Sequence, residues 1–96
     1  MRTIWKFRLT SSVTRVQMPI DRKILCVQMQ NGFPVVWAEV EPSTARIDRT
    51  FVCIGTGQPL TDMTMNYVGT VQTPEQIDAN TFERHNEVWH VYEVIG

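Results

Sequence analysis

The sequence is short of the side chains that carry covalent chemistry. It holds two cysteines and two histidines in 96 residues, and they do not cluster at the spacing a zinc or other metal site needs. No serine sits in a nucleophile-elbow pattern, and the carboxylates are scattered over polar segments. The one glycine-rich stretch, Gly55-Thr56-Gly57-Gln58-Pro59, lacks the Lys-Ser/Thr ending of a P-loop and opens no amphipathic helix. These absences agree with one another. The chain reads as a non-enzyme with no catalytic residue, no metal and no cofactor.

Long apolar runs are also missing. No stretch approaches the roughly 20 residues of a membrane-spanning helix, and the N-terminus lacks the apolar run of a secretory signal. A soluble, cytoplasmic protein without a membrane partner is expected. Nine Lys and Arg stand against ten Asp and Glu, for a net charge of −1. That balance argues against the basic stripe that duplex nucleic acid requires. A small anionic ligand needs only a few donors and stays open. One local bias exists: Arg2, Lys6 and Arg8 fall close together with no acid among them. Charge of this kind also protects a solvated edge strand.

What is present is period-two patterning, in a chain long enough for one domain spanning residues 1–96. A chain of this size buries only about 60–70% of its unfolded surface, so a partner subunit would add useful burial. Strands are expected at 3–9, 13–18, 24–30, 33–40, 49–54, 65–72 and 88–94, with Gly69 at a bulge. Residues 41–49 read as a loop. Thr73-Pro74 offers a cap and a first helical position for one short helix near 74–80. The expected fold is all-β with minor α: a small antiparallel sandwich or partly open barrel of six or seven strands. Cys26 and Cys53 both lie in apolar strands and read as small buried hydrophobes of a reduced compartment; a disulfide between adjacent strands stays open.

The hairpin at 24–40 is the most informative stretch. Asn31-Gly32 is a two-residue turn signal that fixes register. Counting outward, Gln30 faces Phe33, Gln28 faces Val35, Cys26 faces Trp37, Leu25 faces Ala38 and Ile24 faces Glu39. Leu25, Val27, Met29, Val36 and Ala38 then share a core face. The reverse face mixes Gln28, Gln30, Cys26, Val35, Trp37 and Glu39. Pro34 has no backbone donor, which places it on a sheet edge or turns its nitrogen away from the ladder. A tryptophan among amides suits a planar ligand, a protein interface or the lid of a second small core.

The Gly-Thr-Gly bend exposes backbone N–H groups that can cradle an anion, or is a turn that simply needs glycine. His85 lies in a polar segment; His90 alternates with Val88, Tyr92 and Val94 and reads as a hydrogen-bonded structural histidine.

The strings MRTIWKFRL, QMPIDRKILCVQMQNGFPVVWAEVEP, RTFVCIGTGQPL, YVGTVQ and VWHVYEV resemble a family of small phage-encoded proteins with a Gly-Thr-Gly-x-Pro loop, recorded as a domain of unknown function. Proteins that look like this are associated with anti-CBASS sponges. Such sponges hold a host cyclic dinucleotide such as 3′3′-cGAMP without cutting it, and related activities extend to the cyclic ADP-ribose signals of Thoeris defence. The resemblance implies a phage immune-evasion protein in the host cytoplasm, acting as a homodimer or higher homo-oligomer.

Under that resemblance Gly55, Thr56, Gly57 and Gln58 become a phosphate cradle, and Trp37 a base-stacking platform. Gln28 and Gln30 become readers of base edges, Arg8 and Arg49 neutralise phosphates, and His90 and Tyr92 complete a pocket wall. The chain departs from the family pattern at Gln58, where His is frequent, and in the polar insertion from Thr73 to Glu87. The alternative function is a phage protein–protein interaction module that binds a host or virion protein.

Overall fold

A computed structural model describes residues 1–96. The chain forms nine strands and no helix: β1 (Thr3–Arg8), β2 (Val13–Pro19), β3 (Arg22–Gln30), β4 (Phe33–Val40), β5 (Arg46–Gly55), β6 (Met65–Gln72), β7 (Gln76–Ile77), β8 (Arg84–His85) and β9 (Val88–Val94). All pairings are antiparallel. One sheet has the order β1-β4-β3, the second β2-β5-β9-β6, and β7-β8 is a separate hairpin. Neither large sheet closes on itself, so of the two expected architectures the sandwich is the one adopted.

The seven longer strands fall where the alternation places them, with two corrections. β5 starts at Arg46, inside the segment expected to be loop. Its first residues pair with the end of β2, Arg46 opposite Pro19 and Ile47 opposite Met18, and that long-range pairing outweighs the loop-like composition before it. The short helix expected near 74–80 does not form. Gln76 and Ile77 pair instead with His85 and Arg84. A seven-residue helix has little stability of its own, and this segment offers no apolar stripe to bury. Asp78 also captures the N–H groups of Asn80 and Thr81 at 2.7 and 3.1 Å, which makes a turn.

The core lies between the inner faces of the two sheets. Val27, Val36, Ala38 and Val40 come from one side, and Met18, Phe51, Cys53, Val71 and Val91 from the other. Each large side chain buried there contributes about 1.5–3 kcal/mol. Trp5 and Phe7 of edge strand β1 pack against this cluster from the flank.

The hairpin register holds from Gln30–Phe33 to Cys26–Trp37 and then breaks. A bulge between Ile24 and Cys26 puts Ile24, not Leu25, opposite Ala38, and Lys23 opposite Glu39. Ile24 packs against the core, and Leu25 is left exposed. Asn31 and Gly32 take the positive φ values, 52° and 84°, that the tight turn demands. β4 is the central strand of its sheet, so Pro34 is not on an edge. Its pairing with Met29 is the non-hydrogen-bonded kind next to a two-residue turn. Its carbonyl accepts from Leu9 N at 2.9 Å on the other side, so its nitrogen faces away from β3, toward Leu9 just past the end of β1, and no bond of the β3–β4 ladder is lost.

Candidate functional site

The outer face of the three-stranded sheet carries an ordered set of cations, rings and amides. Register across β1, β4 and β3 sets Arg8, Val35 and Gln28 in one row, and Lys6, Trp37 and Cys26 in the next. The Arg8 guanidinium lies 4.8 Å from the Phe33 ring centroid. Lys6 Nζ lies 5.9 Å from the Trp37 ring and donates to Gln30 Oε1 at 2.8 Å. Val35, between Arg8 and Gln28 in this row, points away from the core and is only 2% exposed. Trp37 is half-buried and Arg8 and Gln28 are exposed. Neither Arg8 nor Lys6 belongs to any ion pair of the chain. The acid of this face, Glu39, accepts from Arg2 Nε at 3.1 Å, and Arg2 also reaches Asp21. Two unpaired positive charges thus rest on two aromatic rings beside two amides.

The Gly-Thr-Gly bend belongs to the other sheet. Gln58 closes it from within: its Oε1 accepts from Gly55 N at 2.7 Å, and its N–H donates to Gly55 O at 3.0 Å. Gly57 has φ 90°, and the N–H groups of Thr56 and Gly57 make no bond within the chain. The Thr56 hydroxyl is engaged by His90 Nε2 at 2.7 Å; His90 Nδ1 meets the Thr70 hydroxyl at 3.0 Å, and Thr70 in turn meets Tyr67. Tyr92 packs edge-on against Tyr67, ring centroids 5.4 Å apart. The bend borders an open cavity of about 470 Å³ lined by Gly55, Thr56, Asn86, Glu87, Val88 and Trp89. That wall holds one carboxylate and no cation, which disfavours a phosphate.

Arg49 is on neither outer face. It points between the sheets, where its Nε donates to Glu93 at 2.8 Å and its Nη2 to the Val94 carbonyl at 2.9 Å. Arg22 donates to the same Glu93 oxygen at 3.1 Å. Glu93 is only 6% exposed. Arg49 therefore neutralises a buried carboxylate.

The eleven residues singled out in the sequence fall into three places. Arg8, Gln28, Gln30 and Trp37 share the outer face of the three-stranded sheet. Gly55, Thr56, Gly57, Gln58, His90 and Tyr92 lie on the outer side of the four-stranded sheet. Arg49 is interior. One chain does not bring them into a single pocket. Sequence reasoning omitted Lys6 and Phe33, although the alternation with Arg8 and the register with Gln30 both pointed to them. It also omitted Thr70 and Tyr67, whose relation to His90 depends on a bulge in β6 between Tyr67 and Gly69. Both cysteines are free thiols, Cys26 half-buried and Cys53 buried.

Fold and surface together define a small antiparallel β-sandwich with a cationic, aromatic outer face. Residues 1–96 match the family described as a domain of unknown function (DUF7352), and the chain belongs to that family. No curated protein and no solved structure matches it.

Proposed function

We propose that this chain is a phage immune-evasion protein that binds a host cyclic nucleotide defence signal in the host cytoplasm and sequesters it without cleavage. The ligand class is a cyclic dinucleotide such as 3′3′-cGAMP or a cyclic ADP-ribose isomer. The observation that carries the reading is the outer face of the three-stranded sheet, where unpaired Arg8 and Lys6 lie over Phe33 and Trp37 beside Gln28 and Gln30. A nucleobase stacked on an aromatic ring gains about 1–3 kcal/mol. Lys6 is held by a single exposed amide and would swing to a phosphate at little cost. Arg8 offers the planar fork that pairs with phosphate oxygens. Sequestration requires no acid, base or metal, only affinity and copy number. The face is flat, so enclosing a ligand takes a second copy of the chain, and a two-fold symmetric ligand favours that arrangement.

Titration calorimetry against cyclic dinucleotides and cyclic ADP-ribose isomers is the direct test. Saturable heat with an affinity that falls in Trp37→Ala supports the reading; no heat with any of them at micromolar protein defeats it. Recovery of intact ligand after heat denaturation separates a sponge from a nuclease.

A second reading is a phage protein–protein interaction module for a host or virion protein. It is favoured by the open edges of the four-stranded sheet, where β2 and β6 present Val13 and Tyr67 at 59% and 58% exposure. Strand addition to such an edge is a general mode of recognition. Capture of one stoichiometric host protein, free of nucleotide, supports this second reading over the first.

A further inference from the structure

The insertion from Thr73 to Glu87 forms a projecting arm with an aromatic tip. Phe82 is 80% exposed and has φ 59°, a conformation that bulky side chains rarely adopt. The turn beneath it enforces that conformation. Asp78 Oδ1 accepts from Asn80 N and Thr81 N, Asp78 O accepts from Phe82 N at 2.8 Å, and Asp78 N donates to Glu83 O at 2.8 Å. An apolar ring is thus held out in water by a turn built to keep it there.

The charge of the arm is also distinctive. Residues 73–87 contain four acids, Glu75, Asp78, Glu83 and Glu87, against one base, Arg84; the rest of the chain holds eight bases against six acids. The arm is acidic and the body basic, so the body of another copy attracts it. The body also offers a receptor. A cavity of about 200 Å³, the scale of one aromatic side chain, is lined by Leu9, Phe33, Pro34, Cys53 and Trp89 together with Thr10, Ser11 and Ser12, and the surface it exposes is mostly apolar. At its rim, Arg8 lies over Phe33 with no carboxylate partner. Trp89 is two residues past the base of the arm, so arm and cavity belong to one end of the sandwich.

We propose that the β7-β8 hairpin is a self-association arm: Phe82 of one copy fills the cavity under Phe33 of a second, Glu83 pairs with Arg8 there, and the exchange is reciprocal. Reciprocal exchange closes a two-fold dimer instead of an open fibre. The dimer forms without ligand and is read without nucleotide; the Arg8 guanidinium has five donors, so Glu83 on one edge leaves another edge for a phosphate.

Sedimentation equilibrium of the ligand-free full chain at micromolar concentration reads the outcome. The expected mass is twice that of the 11.1 kDa chain. Phe82→Ser, at a site too exposed to affect folding, raises the dimer dissociation constant by roughly thirtyfold or more, the loss expected of a buried aromatic anchor. Glu83→Arg weakens the dimer and Arg8→Glu in the same chain restores it. A wild-type monomer throughout that range overturns the proposal, as does a Phe82→Ser dimer of unchanged affinity. A hairpin protected from proteolysis only in host lysate assigns the arm to a foreign protein and equally overturns it.

Discussion

Gly69 of β6 lies directly over Val27 of β3: a Cβ at position 69 would stand 2.8 Å from Val27 Cγ1. The two strands share no ladder, so this contact sets how closely the sheets approach at that point. Gly69→Ala forces apart two packed layers and is expected to cost about 1–3 kcal/mol. Urea unfolding should show a lower midpoint with an unchanged slope. Val27→Ala in the same chain should recover part of the loss, so the pair is non-additive. Additive effects would show that the contact does not set the spacing.

Glu93 is the shared partner of Arg22 and Arg49. Glu93→Ala leaves two largely buried guanidinium groups uncompensated and is expected to cost about 3–5 kcal/mol. Replacing all three residues by apolar ones should be far less damaging than the single change. A Glu93→Ala chain as stable as wild type in the same unfolding assay would refute this.

The Asp78 carboxyl is held below the usual carboxylate range by the N–H groups of Asn80 and Thr81. A folded value below the unfolded one means that the ionised form supports the turn at neutral pH. That support is lost as the pH falls from the unfolded value through the folded one. Acidification should therefore loosen the arm before the core, seen as faster hydrogen exchange at Asn80 and Thr81 than at core amides. Equal protection of both regions as acid is added would contradict the assignment.

Burial pushes the Cys53 thiol above its ordinary value, so little thiolate is available to react. Cys26 sits half-exposed on the outer face of the three-stranded sheet. A thiol reagent at neutral pH should modify Cys26 first and Cys53 only slowly, and peptide mapping of the labelled chain checks the order.

The two outer faces separate by mutation. Trp37→Ala should cost about 1–3 kcal/mol of nucleotide binding, whereas His90→Ala should leave it unchanged, in the calorimetric titration. The opposite pattern would move the site to the glycine bend.

Much of the fold was legible because strand alternation is a local signal. The seven long strands and the Asn31-Gly32 turn follow from residues within a few positions of one another. The hairpin register failed from Leu25 outward, where the bulge is chosen by how Ile24 meets the core, a tertiary matter. Alternation says which residues share a strand face but not which sheet a strand joins. That is why Trp37 and His90 seemed able to share a site. Arg49 looked free for the same reason: its acid is 44 residues away in sequence. The helix expectation rested on a cap and a proline with no apolar stripe behind them.

The last strand of the chain, β9, lies between β5 and β6 inside the four-stranded sheet. Until residues 88–94 have left the ribosome, β6 has no neighbour to bond to and the second layer cannot be completed. The four-stranded layer therefore forms only once Val88–Val94 is available to it. A chain truncated before Val88 should be found among aggregates and proteolytic fragments, never as a smaller version of the same sandwich.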